Sequence, residues 1–415
     1  MNHLKKELKY ASNNYKSIER VMVRGKGIYV YDNKNAAYMD CISGYSALNQ
    51  GHCDPRLVKA ITKQAGLLSL TSRAYCNDKL GLYSEKLCKT FEYDKVLLMN
   101  GGVESGESAT KIARAWGYKK KGIPKNEAIN VYFNNNFWGR SLAACSSSND
   151  ESCYGNFGPY LNGVKLLDYN NVEQLENYLK DSPNVVSVML EPIQGEGGII
   201  IPDAGYLKKV ENLCKKYNVL MIADEVQTGL GRTGKMLACD YEKVTPDILC
   251  LGKALSGGYY PISAVLSNKE IMSVLEPGTH GSTYGGNPLA CEIGMTALEI
   301  IKKDNLVENS RQMGIYFRNA LGKLKKNGLM FTATLNRSFT SYIKAIIGAE
   351  YILRWLPIGT HDWNKFLKPE ELENYLTKEK LITQDISGLK FNPFTKRWKK
   401  SSDLSVNYIV CSLKN

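Results

Sequence analysis

The feature that most restricts this chain is an alternation running from residue 96 to residue 266. Short apolar runs, "KVLLM", "INVYF", "VVSVML", "NVLMIAD", "DILCLG" and "PISAVLS", are separated by turns rich in Gly, Asn and Pro. Longer segments between them, such as 107–118 and 205–217, carry apolar residues at helical spacing. Strands that are apolar throughout, alternating with helices, imply an α/β fold: a mostly parallel central sheet with helices covering both faces. Ligands of such sheets sit just beyond the C-terminal ends of the strands. The polar residues at those ends are therefore the candidates for a functional site.

Three strand ends stand out. In "DILCLGKALSGG" the apolar run stops at Lys253 among small residues. A desolvated lysine has a lowered pKa and can form a Schiff base with a carbonyl. Taken alone, it reads equally as a structural lysine that packs its stem and sends the ammonium to water. In "NVLMIADEVQTG" a strand closes on Asp224, 29 positions earlier. A buried Asp facing a pyridinium nitrogen keeps that nitrogen protonated and makes pyridoxal 5'-phosphate an effective electron sink. In "LLMNGGVESGES" a strand ends at Asn100, Gly101 and Gly102 permit close backbone approach, and a helix starts near Glu104. Free amides at a helix N-terminus suit a phosphate. Phosphate loop, ring-nitrogen acid and lysine occur in that order, each at a strand end.

At these residues the chain resembles the class III aminotransferases of the pyridoxal-phosphate fold type I, and within them the ornithine δ-aminotransferase branch. The resemblance spans about residues 10–324. It rests on "GYSALNQGHCDP", "LTSRAYCN", "NGGVESGE", "NNFWGRSLAACSSS", "EPIQGEGGIIIPD", "ADEVQTGLGRTGK", "LGKALSGGYYPISAV" and "GTHGSTYGGNPLA". It implies an N-terminal segment over 1–45 and a large cofactor-binding domain over 46–324. By the same resemblance Lys253 carries the cofactor and shuttles the proton, Asp224 pairs with the pyridinium, and Gln227 bonds the phenolic oxygen. Val226 and Phe137 cover the two ring faces, and Gly102 and Val103 give backbone N–H groups to the phosphate. Ser282 and Thr283 resemble residues that reach the phosphate of a neighbouring subunit, which implies a homodimer with sites at the interface. The implied reaction is ping-pong transfer of the δ-amino group of ornithine to 2-oxoglutarate; the alternatives are another class III ω-aminotransferase, of the acetylornithine or 4-aminobutyrate type, and a cofactor-binding chain inactivated by replacement of its C-terminal domain.

An ω-aminotransferase must also hold the substrate's α-carboxylate away from the reacting carbon, which calls for a guanidinium or hydroxyl donors. The resemblance puts Arg140 of "NFWGR" and Tyr15 there, with Tyr45 shaping the pocket. It puts Glu196 of "QGE" in the substrate site, paired with an arginine of a small C-terminal domain. Three departures are visible. The H-N-Y-x-P-x-P pattern around Tyr15 lacks its first histidine and both prolines, Gly101 stands where threonine is usual, and Gly197 replaces alanine.

The last stretch fits none of this. From about residue 326 no R-G-K-G-L strand follows. Instead "TLNR", "GTHDW" and "NPFTKRW…LSVNY" resemble the C-terminal part of ubiquinone-biosynthesis O-methyltransferases. A tail over 325–415 without the S-adenosylmethionine-binding half implies a chimera. Charge changes at the same place. From residue 321 onward sixteen Lys and Arg stand against eight Asp and Glu, so +8 of the net +13 lies in the last 95 residues. No basic run interleaved with aromatics precedes it, so no nucleic-acid partner is expected. Eleven unpaired-looking cysteines and four scattered histidines imply free thiols and no metal site. No apolar run is long enough for a membrane span. With motifs beginning by Tyr15 and no leader pattern before them, the expected location is cytoplasmic.

Overall fold

In the computed structural model the described residues are 3–15, 17–18, 20–322, 328–354, 361–378, 380–392 and 397–414. The chain divides into two compact units, Met1–Gly314 and Ile315–Asn415, the division falling within the helix Leu306–Gly322. The junction expected near residue 325 lies outside the described residues.

The first unit opens with a small antiparallel sheet of β1 (Met22–Lys26), β2 (Tyr29–Asp32) and β3 (Ala37–Met39). Its main sheet contains β4 (Lys95–Met99), β5 (Ile129–Phe133), β6 (Val164–Leu167), β7 (Val185–Leu190), β8 (Leu220–Asp224), β9 (Ile248–Leu251) and β10 (Ser263–Ser267). Their order is β4-β10-β9-β8-β7-β5-β6. Pairings from β9 to β6 are parallel, whereas β10 runs antiparallel to both β4 and β9. Strands β7, β8, β9 and β10 are buried at every position, which explains their mostly apolar sequences.

Helices cover the sheet as the spacing predicts, with Gly102–Trp116 and Tyr206–Lys216 overlapping the two segments singled out above. The first packs Ala109, Ile112, Ala113 and Trp116 with Ile222, Cys250 and Val265 on one side of the sheet. The second joins Leu207 and Val210 to the cluster containing Met221, Leu249 and Leu251 on the other. Among the described residues no helix is long and apolar enough to cross a membrane.

The second unit holds an antiparallel sheet of β11 (Leu329–Leu335), β12 (Leu381–Asn392), β13 (Arg397–Ser401) and β14 (Asn407–Lys414), ordered β11-β14-β12-β13. Tyr342–Ile352 is a wide-turned helix. Its Glu350 is buried and accepts from the backbone N–H of His361 at 2.9 Å and meets His361 Nδ1 at 2.7 Å.

Candidate active site

Three ionisable side chains stand in a row at the C-terminal ends of three adjacent strands. Glu191 follows β7, Asp224 closes β8, and Lys253 lies two residues past β9. Register aligns them, since Leu190 pairs with Ala223 and Asp224 with Cys250. All three line one cavity of about 180 Å³, together with Gly102, Val103 and Phe137. A second cavity of about 340 Å³ shares Gly102 and Lys253 with it.

Burial governs the charges. Asp224 is pushed up to about 6 by desolvation, against the Val226 N–H that it accepts at 3.0 Å and the nearby Lys253. Lys253 is half-buried, and desolvation lowers its pKa against the pull of Asp224, Glu196 and Glu191. Its backbone, at φ 43°, lies in the left-handed region that side chains rarely adopt, so its place in the tight turn Lys253–Ser256 carries local strain. Glu191 is pushed up to about 8, by burial first and by Asp224 second.

The loop after β4 presents backbone to this cavity. Glu104 accepts the N–H of Asn100 at 3.1 Å and of Gly101 at 2.6 Å, fixing the turn. The helix Gly102–Trp116 then begins, and its first amides have no acceptor within the helix. Gly102 is required by close approach, because a Cβ there would lie 2.9 Å from Val226 Cγ1. Phe137 enters from the loop after β5, beside Trp138, which is buried, stacked on Tyr132 at 5.9 Å and donates to Ser147 Oγ at 2.8 Å.

The cavity therefore gathers Gly102, Val103, Phe137, Asp224, Val226, Gln227 and Lys253 from the expected site. The other expected residues lie outside its lining. Glu196 is exposed and accepts from Gln227 Nε2 at 3.3 Å, one side chain away from the cavity. Arg140 is exposed, with its guanidinium carbon 5.6 Å from the Phe137 ring centre and Nη1 donating to Ser152 O at 3.3 Å. Tyr15 and Tyr45 are 71% and 63% exposed, so within one chain neither is packed into a pocket. Ser282 and Thr283 line a different cavity of about 700 Å³ with Ser72 and Arg73. Sequence reasoning missed Glu191. Its signal was present, because "VVSVMLEP" ends a buried strand on a charge just as "LMIAD" does.

The sequence pattern of the family "Aminotransferase class-III" matches residues 10–335. The chain belongs to the class III aminotransferases. Among this aminotransferase's curated relatives is the mitochondrial ornithine aminotransferase of Drosophila melanogaster, 53% identical over 345 residues, 81% of this chain and 80% of that protein. The ornithine aminotransferase of Toxoplasma gondii, crystallised in the presence of oxidised glutathione, superposes with a TM-score of 0.76 at 47% identity, covering 80% of each chain. An acetylornithine aminotransferase of Elizabethkingia anophelis superposes with a TM-score of 0.71 at 42% identity, covering 82% of this chain and 86% of that one.

Class III aminotransferases are pyridoxal-phosphate enzymes, and the observed residues fit that group. A buried carboxylate raised by desolvation needs a cation, which a protonated ring nitrogen supplies. The helix start at Gly102 offers N–H groups to a phosphate, and the lowered pKa of Lys253 leaves an amine able to attack a carbonyl.

Proposed function

We propose that this chain is an ornithine δ-aminotransferase, transferring the δ-amino group of ornithine to 2-oxoglutarate to give glutamate 5-semialdehyde and glutamate. The observation that carries the reading is the aligned pair Asp224 and Lys253 in one cavity, in a chain about half identical to enzymes named for ornithine. Bound pyridoxal phosphate supplies an electron sink for the carbanion formed at the substrate carbon. Lys253 would hold that cofactor through Nζ and, with its amine free, would carry the proton taken from the substrate carbon. Asp224 would keep the ring nitrogen protonated, Gln227 would bond the phenolic oxygen, and Phe137 and Val226 would confine the ring.

Arg140, lying against the open side of Phe137, pairs with the α-carboxylate of ornithine. Tyr15 and Tyr45 complete the far end of the substrate site. Their exposure in the single chain, and the separate cavity at Ser282 and Thr283, support a homodimer in which those two residues reach the partner's phosphate. Glu196 stands at the substrate entrance on the side of Gln227. For the tail we propose a methyltransferase-like origin, supported by its motifs and its excess of basic residues.

The test is turnover of ornithine against N-acetylornithine and 4-aminobutyrate with 2-oxoglutarate as acceptor. Ornithine should be preferred, and Lys253→Ala should abolish turnover and the visible cofactor absorbance together. Preference for N-acetylornithine would transfer the chain to the acetylornithine branch, and a Lys253→Ala variant with ordinary turnover would refute the assignment of the lysine.

A further inference from the structure

Glu191 is a buried carboxylate for which the chemistry above has no task. It is 8% exposed and lines the cavity beside Asp224, an arrangement that costs stability unless it serves something. Its two oxygens are not aimed at the cavity's other charges. Oε1 accepts the backbone N–H of Phe137 at 2.9 Å, and Oε2 accepts that of Gly195 at 3.2 Å. The first bond holds the loop that brings Phe137 to the cavity. The second holds the turn leading to Glu196, where Gly195 lets Gln227 approach closely: a Cβ there would lie 1.9 Å from Gln227 Oε1 and displace it. Glu191 itself cannot drift, because Tyr169 OH donates to its carbonyl oxygen at 2.9 Å and to that of Pro192 at 3.1 Å.

We infer that Glu191 is a positioning residue, one carboxylate bridging two loops so that Phe137 lies flat against the cofactor ring while Gln227 and Glu196 keep their places. The inference rests on the reading of Phe137 as the ring-covering residue. Once ionised, above its raised pKa of about 8, this carboxylate accepts at both oxygens, whereas an amide of the same shape accepts at one and donates at the other. In that state its bonds to backbone N–H are also charge-assisted and stronger than neutral ones.

The test is a double-mutant cycle of Glu191→Gln and Phe137→Leu in the full-length protein. Three quantities are read: cofactor affinity by absorbance titration, kcat and KM for ornithine, and thermal stability of the cofactor-free protein. Glu191→Gln should leave cofactor-free stability equal or higher and amine KM within about threefold, while kcat falls roughly 10- to 100-fold, the scale of a misplaced reacting group. Cofactor affinity should fall by about fivefold or more. In the Phe137→Leu background the same substitution should cost far less, since the loop it steadies no longer presents the ring. Additive effects, or a Glu191→Gln protein equal to the parent in affinity and kcat, would overturn the inference. So would a Glu191→Gln protein that fails to fold, because the carboxylate would then be holding the fold. If Phe137→Leu alone changes nothing, the reading of Phe137 fails and takes the inference with it, a result separate from the previous ones.

Discussion

Replacing Asp224 by Asn should move the cofactor-free and cofactor-bound proteins in opposite directions. In the free protein the carboxyl rises from its ordinary 3.8 to about 6, chiefly through burial. A group raised in this way contributes stability that is intact below 3.8 and lost as pH climbs through about 6. At pH 8, in round numbers, the ionised Asp224 thus costs about 3 kcal/mol relative to a neutral occupant. Asn keeps the oxygen that accepts from Val226 and carries no charge. Part of the gain is offset because Lys253 loses its nearest anion, leaving a net of about 1–3 kcal/mol. Cofactor-free Asp224→Asn should therefore be harder to denature with urea than the parent at about pH 8, and equal to it near pH 4. With cofactor the order should reverse, since the protonated ring nitrogen has lost its partner, a change worth about 3–5 kcal/mol when one member of a buried pair is removed. A cofactor-free variant no more stable than the parent at pH 8 would show that burial of Asp224 does not control its charge.

Two further substitutions probe the rim and the cradle. Arg140→Ala should raise KM for ornithine roughly 10- to 100-fold, the worth of one charge-assisted contact, and leave cofactor absorbance intact. Amines without a carboxylate should be unaffected, and if they lose as much as ornithine does, Arg140 does not bind carboxylate. Gly102→Ala should weaken cofactor binding in titrations by about 1–3 kcal/mol, because the new methyl meets Val226 Cγ1 at 2.9 Å. Adding Val226→Ala should recover part of that loss; no recovery would place the cause elsewhere than in the clash.

Much of the first unit was legible because its central strands are buried on both faces and so carry few polar residues, Ser187 and Asn130 among them. The strand β6 was not read. Its sequence "VKLL" is four residues long at the sheet edge, with Lys165 inside it, too short and too polar to stand out. In the tail, β12 has an irregular pattern of exposed and covered positions and shifts register between Thr383 and Asp385, which hides its period. At the site, strand-end residues were readable because each charge closes an apolar run. Glu191 followed the same rule but was passed over, because its partners are backbone N–H groups that leave no trace in residue type. Arg140, Tyr15, Tyr45, Ser282 and Thr283, which came from the resemblance and not from strand ends, stand outside the cavity.

The reversal of β10 bears on how this molecule is made. β4 lies at the sheet edge, and its partner in the sheet is β10, with Met99 facing Ser263 and Lys95 facing Ser267. On a ribosome the apolar "KVLLM" emerges 168 residues before its partner is complete. At about 5–20 residues per second that is an interval on the order of ten to thirty seconds. Through it the nascent chain carries an unpaired apolar edge, a template for pairing with other chains. The turn proposed to hold the phosphate sits at the end of that same strand, and Gly101 O receives a bond from Ser263 Oγ at 2.8 Å. That bond forms only once β10 has docked, so chaperone demand should be greatest before residue 267 is released.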